Sequence, residues 1–94
     1  RRPAPERLAH LLCEIQVRVA RTDTSVAVDY ELPMTQEQIG DALGLTSVHV
    51  NRVLKTLQKQ GLINRDRRRL QVVDWPGLRA LADFNERYLH LQQS

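Results

Sequence analysis

Residues 34–60 read MTQEQIGDALGLTSVHVNRVLKTLQKQ, and this stretch decides the fold. Thr35 has the chemistry and position of a helix N-cap, Gln38 three residues on completes a capping box, and Met34 and Ile39 straddle the start as a hydrophobic staple. Ile39, Ala42 and Leu43 then recur at helical spacing. Gly44 falls where a helix ends in a left-handed conformation, Leu45 plugs the corner, and Thr46 caps a second helix that runs to Gln60 with Gly61 as its stop. Two helices around a glycine corner predict a helix-turn-helix over about 35–60.

At about 100° per residue, Val50, Val53, Leu54 and Leu57 share one arc of the second helix, while Ser47, Val48, Asn51, Arg52, Lys55 and Lys59 lie across from it. The first set anchors the helix; the second faces outward. No acidic residue occurs from Thr46 to Gln60, which suits a helix that lies against a polyanion. Residues near the start of such a helix enter the major groove, so Ser47, Val48, Asn51 and Arg52 are the expected base readers. Arg52 suits a bidentate contact with guanine, Asn51 a paired contact with adenine, and Val48 a thymine methyl group.

Phosphates are expected at the helix starts, where free backbone N–H groups and a positive partial charge meet Thr35, Gln36 and Thr46. Both threonines cap their helices with or without DNA. Lys55 and Lys59 lie too far along the outer face to reach bases easily and suit the backbone instead. His49 sits on the flank between the two faces and fits packing or a phosphate equally.

Beyond Gly61, Leu62 and Ile63 open an extended run, Asn64 to Arg68 form a polar tip, and Leu70, Val72 and Val73 resume the apolar pattern. This is a β-hairpin, or wing, over about 62–73, with Arg65, Arg67, Arg68 and Arg69 as sequence-independent phosphate contacts. The arginines also fit the simpler role of keeping a hairpin edge soluble. Asp74, Trp75 and Pro76 mark another helix start, with Leu78, Leu81 and Phe84 on its buried face. The tail from Tyr88 to Ser94 is expected to be loosely held.

Upstream, Leu8, Leu11, Leu12, Ile15 and Val19 form one stripe of a helix over 6–21. Ala9, Cys13, Val17 and Ala20 make a second, weaker patch, so this helix has two neighbours, one of them a candidate for lying outside this stretch of chain. Val26, Val28, Tyr30 and Leu32 alternate with polar or small residues, the period of a short strand or extended arm that ends at Pro33. The whole order, helix, strand, helix-turn-helix, wing and helix, is mainly α with a small β component: a winged helix-turn-helix.

Ninety-four residues make one small domain over 1–94, with little room for a large buried catalytic cleft. The chain opens at Arg1 rather than Met, which points to a fragment of something longer. No apolar run approaches the roughly 20 residues of a membrane span, and nothing resembles a signal peptide. The lone cysteine, Cys13, excludes an internal disulfide framework and is compatible with a cytoplasmic protein. Net charge is +3, but residues 46–69 hold seven basic side chains against Asp66 alone, leaving the remainder at −3. Charge concentrated on one helix and the hairpin after it is a local footprint for nucleic acid.

Catalytic or metal-binding patterns are poor. His10, Cys13 and Glu14 lie within reach of one another along a helix, but a structural cysteine accounts for them better than a thiol dyad or metal site. No phosphate-cradling glycine loop, zinc-protease motif or clustered carboxylate pair is present. The chain is therefore not expected to be an enzyme. The competing reading is a winged-helix interaction module that binds a protein partner and no nucleic acid; the acid-free outer face of residues 46–60 argues for double-stranded DNA instead.

Three stretches, RLAHLLCEI at 7–15, MTQEQIG at 34–40 and DALGLTSVHVNRVLKTLQKQGLI at 41–63, closely resemble the C-terminal DNA-binding domain of Crp/Fnr-type bacterial transcription regulators. The most specific part is the GLTxxxVxRxLxxLxxxGLI spacing. The resemblance implies a cytoplasmic homodimer whose recognition helices enter successive major grooves of a near-palindromic site, with RNA polymerase as a further candidate partner. It also implies a β-barrel sensory domain and a long dimerisation helix before Arg1. No cofactor is expected in this domain; a cyclic nucleotide or other effector would bind the missing N-terminal one. Arg52 matches the family's base-contacting arginine, and Thr35 and Thr46 its phosphate-binding hydroxyl positions. Ser47 and Val48 stand where the best-known members carry a basic and an acidic base reader, and the VHVNR ending at 48–52 is a variant known from a branch of the same family.

Overall fold

The computed structural model describes residues 2–22 and 29–83. Four helices, α1 (Ala4–Thr22), α2 (Gln36–Leu43), α3 (Ser47–Lys59) and α4 (Trp75–Ala82), surround a core closed on one side by three short strands, β1 (Asp29–Glu31), β2 (Ile63–Asp66) and β3 (Arg69–Val72). The sheet is antiparallel throughout, in the order β1-β3-β2. Among the described residues no helix is long and apolar enough to cross a membrane.

Helix α1 begins two residues before the expected Glu6. Ala4 and Pro5 carry no apolar periodicity, yet the Pro3 carbonyl accepts from the N–H groups of both Glu6 and Arg7 at 3.1 Å, and proline is compatible with a first turn. Both expected faces of α1 are used. Leu8 and Leu12 are fully buried, and so are Ala9 and Cys13 from the weaker patch, because α1 packs against α2, α3 and α4 together. The Ala9 and Cys13 part of the weaker patch is thus covered within this chain, whereas Val17 is half-buried. The side chain of Ala20 lies outside the described residues.

The corner between α2 and α3 is built as its residues suggested. Thr35 Oγ1 accepts from Gln38 N–H at 3.1 Å, and Gln38 Oε1 accepts from Thr35 N–H at 2.9 Å, closing the capping box. Gly44 adopts φ 72°, and the Leu45 N–H reaches back to the Gly40 carbonyl at 2.8 Å. Thr46 Oγ1 accepts from His49 N–H at 3.0 Å to start α3. From α1, the Arg7 guanidinium donates to the Leu43 carbonyl at 2.7 Å, satisfying a terminal acceptor of α2. Val50, Leu54 and Leu57 are fully buried and Val53 nearly so, which seats α3 on the core by the four anchors its periodicity named.

The upstream strand is a member of the wing sheet. Tyr30 faces Leu70 and Glu31 faces Arg69 on β3, and Leu32 N–H extends the pairing by donating to Arg68 carbonyl at 2.7 Å. Val26 and Val28, the start of the expected run, lie outside the described residues. The wing tip is shorter than expected: β2 continues through Asn64 and Arg65 to Asp66, which pairs with Arg69, so the tip is Arg67 and Arg68 alone. Asn64 and Asp66 are polar on the outer face, which hid the alternation. Asp74 caps α4 through its side chain to Gly77 N–H at 3.0 Å, Leu78 is fully buried and Leu81 half-buried; Phe84 and the tail from Tyr88 lie outside the described residues.

Two predictions follow from the packing. A Cβ at Gly40 would collide with the Leu45 carbonyl oxygen. Helix propensity alone favours alanine over glycine by about 1 kcal/mol, but overpacking against backbone costs roughly 1–3 kcal/mol. The clash wins, so Gly40→Ala loses stability in chemical denaturation; an unchanged or raised midpoint contradicts so close an approach. Tyr30 is 7% exposed and its hydroxyl has no hydrogen-bond partner among the described residues. Burial, reinforced by Cys13 nearby, pushes its phenol above the ordinary value of 10.0. A group whose folded pKa is raised contributes stability that is complete below its unfolded pKa and is lost as pH rises above it. Tyr30→Phe is therefore neutral or slightly stabilising at pH 7 and gains on the parent by up to about 1.4 kcal/mol per pH unit above 10. Parallel pH profiles of the two proteins contradict the buried phenol.

Candidate nucleic-acid interface

The outer face of α3 presents its expected readers in sequence order. Val48 is 66% exposed, an unusual exposure for a large apolar side chain in this molecule, and Arg52 projects beside it one turn on. The Arg52 side chain has no partner among the described residues, and neither have Lys55 and Lys59, both exposed further along the helix. Ser47, His49 and Asn51 are half-buried, Ser47 and His49 in the first turn and Asn51 one turn in. The wing and the start of α2 form walls around that first turn: a shallow groove is lined by Thr35, Gln36, Glu37, Ser47, Arg65, Arg67 and Arg68, together with Leu32 and Met34. The exposed cap Thr46 opens α3 next to Ser47.

Local chemistry explains this convergence. Capping draws Thr35 and Thr46 to the two helix starts, so the unpaired N–H groups of both first turns lie near the same surface. On β2, Ile63 is buried in the core, and the period of two puts Arg65 on the same side of the strand. Its guanidinium donates to Asn51 Oδ1 at 2.7 Å and to the Arg67 carbonyl at 3.4 Å. Gln36 Nε2 reaches the same Asn51 oxygen at 3.3 Å. The link joining α2, α3 and the wing was not anticipated from the sequence, although the alternation from Ile63 to Arg65 points inward toward α3.

The four wing arginines, grouped as one basic tip by composition, separate in the fold. Arg65 is turned onto Asn51. Arg68 donates to the Leu32 carbonyl at 2.8 Å and lies 3.8 Å from Glu31, so it ties the tip to β1. Arg69 has a partner as well, whereas the Arg67 side chain has none among the described residues. Arg67 also holds φ 59°, a left-handed conformation in which glycine would be less strained. Of the four wing arginines, Arg67 is the one whose charge is uncommitted among the described residues.

The residues of the alternative cluster on α1 lie in different settings. Cys13 is fully buried, and His10 Nδ1 lies 3.0 Å from Glu14 Oε1 on the helix surface. Among the described residues no three metal-ligating side chains come together.

Comparison with known proteins places this arrangement. A family model described as a Crp-like helix-turn-helix domain matches residues 6–81. The chain is 36% identical over 76 residues to the transcriptional regulatory protein btr of Bordetella pertussis, covering 81% of this chain and 31% of that protein. It is 34% identical over 82 residues to the transcriptional activator protein FnrA of Stutzerimonas stutzeri, covering 87% and 33% respectively. The structure of FixK2 from Bradyrhizobium japonicum is similar with a TM-score of 0.68 at 33% identity, over 86% of this chain and 39% of that one. The chain thus spans about a third of the length of these curated relatives. With its capped corner, exposed basic helix face and wing, it belongs to the Crp-like helix-turn-helix domain family.

Proposed function

We propose that residues 1–94 are one winged-helix output domain of a longer, effector-responsive cytoplasmic regulator that binds a near-palindromic operator as a homodimer. The observation that carries this reading is the outer face of α3, where Arg52, Lys55 and Lys59 are exposed, without partners among the described residues, on a helix that contains no acid. A duplex is the polyanion that fits a face one helix wide with a basic wing beside it.

In this reading Arg52 reads a guanine through its two-pronged donor edge, Asn51 reads a neighbouring base, Val48 packs on a thymine methyl group and Ser47 bonds a base edge. The groove between α2, α3 and the wing takes the sugar-phosphate backbone: Thr35, Gln36, Thr46 and His49 offer donors at the helix starts, and Arg67 and Arg68 flank them. Arg69 and Arg65 add positive charge from the sheet, and Lys55 and Lys59 hold the phosphates farther along α3. The chain itself carries out no catalysis and holds no cofactor. The effector belongs to the part of the regulator that precedes this domain, as does most of the dimer contact, and RNA polymerase is the further partner of an activating member. Alone, the domain meets a single half-site and binds weakly, because the two-site advantage is absent.

Binding measured on a selected site and on random duplex at two salt concentrations tests the reading. Affinity that falls steeply with salt is expected; no binding, or binding indifferent to salt, contradicts it and favours a protein-binding module. Arg52→Ala costs about 1–3 kcal/mol on the selected site and relaxes one base pair, whereas Lys59→Ala weakens both duplexes alike and lowers the salt slope by about 1. Equal losses on both duplexes for Arg52→Ala remove its reading role. Arg67→Gly relieves the left-handed backbone strain and raises stability by about 1 kcal/mol, while affinity for every duplex falls. Unchanged affinity in that variant leaves Arg67 without a phosphate role.

A further inference from the structure

We propose that Arg65 acts as a positioning residue that turns Asn51 into a donor-only base reader, so that the protein rejects adenine at the base pair Asn51 meets. The inference rests on the reading of α3 as the recognition helix and adds the chemistry of one of its contacts. Arg65 Nη2 stands 2.7 Å from Asn51 Oδ1, and Gln36 Nε2 stands 3.3 Å from the same atom. A guanidinium donates and never accepts, so the Asn51 atom it faces is the oxygen, which settles the orientation of the amide. An amide oxygen has two lone pairs, and these two donors engage both. What Asn51 has left is its Nδ2 group, with two N–H donors.

The paired contact of asparagine with adenine needs both ends of the amide: the oxygen accepts from adenine N6 while the nitrogen donates to N7. With the oxygen committed to the wing and to α2, adenine N6 finds no acceptor and faces a second donor. Guanine presents N7 and O6 side by side, both acceptors, and so matches the free Nδ2 group. Arg65 reaches this position because it follows the buried Ile63 by two residues on β2 and so lies on the same side of the strand, half-buried. The wing thereby selects a base in the major groove without touching it.

Sites selected from a random duplex library by the wild-type domain, Asn51→Ala, Arg65→Met and Arg65→Lys test the proposal. Comparison of wild type with Asn51→Ala identifies the base pair concerned; guanine there is expected over adenine by about tenfold, with 7-deazaguanine in the same duplex removing much of the preference. Arg65→Met keeps the stem's apolar bulk, frees one lone pair of the Asn51 oxygen for adenine N6, and shifts the preference at that pair toward adenine. Arg65→Lys keeps the charge but not the planar guanidinium fork, so an altered base preference at that pair in this variant, whatever its overall affinity, supports the positioning role. Adenine preferred by the wild type overturns the proposal without recourse to any variant. Equal weakening of all sites by Arg65→Met, with base ratios unchanged, also overturns it and leaves Arg65 a phosphate contact. Failure of the wild type to select any duplex overturns the DNA reading and this inference with it.

Discussion

The close approach of Gly40 to the Leu45 backbone is the constraint on which the rest of the structure depends. A helix can turn back on its neighbour this tightly only if its inner surface lacks a Cβ at the point of contact and its end can reverse through a left-handed residue. Gly40 meets the first requirement and Gly44 the second. Burial of Val50, Val53, Leu54 and Leu57 on one side of α3 leaves Val48, Arg52, Lys55 and Lys59 to face solvent. This exposed basic face is thus a by-product of packing, held in place by apolar contacts it does not itself make.

The wing contributes more than charge. Through Arg68 it is stitched to β1, and through Arg65 it is joined to α3, so the hairpin and α3 form one continuous surface. Part-buried hydrogen bonds of this kind each contribute about 0.5–3 kcal/mol to overall stability. They also govern geometry: they determine which donors and acceptors remain for an incoming base or phosphate. Arg67 and Arg52 are left uncommitted, whereas Asn51 has half of its hydrogen-bonding capacity spent before any ligand arrives.

Features governed by neighbours in sequence were legible from the residues alone. Thr35 with Gln38, Gly44, Thr46 and the four anchors of α3 are local decisions made by capping chemistry, backbone sterics and helical period, and all stand where the pattern put them. Contacts between distant segments were less accessible. Nothing in residues 29–31 states that their partner is β3, because strand pairing depends on what the intervening helices bring near. The polar composition of Asn64, Arg65 and Asp66 made strand look like loop, and it also concealed that Arg65 belongs with Ile63 on the inner side. Counting wing arginines located a basic region correctly but could not tell which of them the fold would occupy.

The central claim is that one surface, the outer side of α3 with its flanking wing and capped helix starts, meets the duplex. Its most direct test is residue-by-residue NMR mapping of the isotopically labelled protein during titration with a duplex. Perturbed signals are expected at Thr35, Thr46 to Arg52 and the tip at Arg67, with the α1 and α4 faces quiet. Perturbations centred on α1 or α4, with the first half of α3 unchanged, would contradict it.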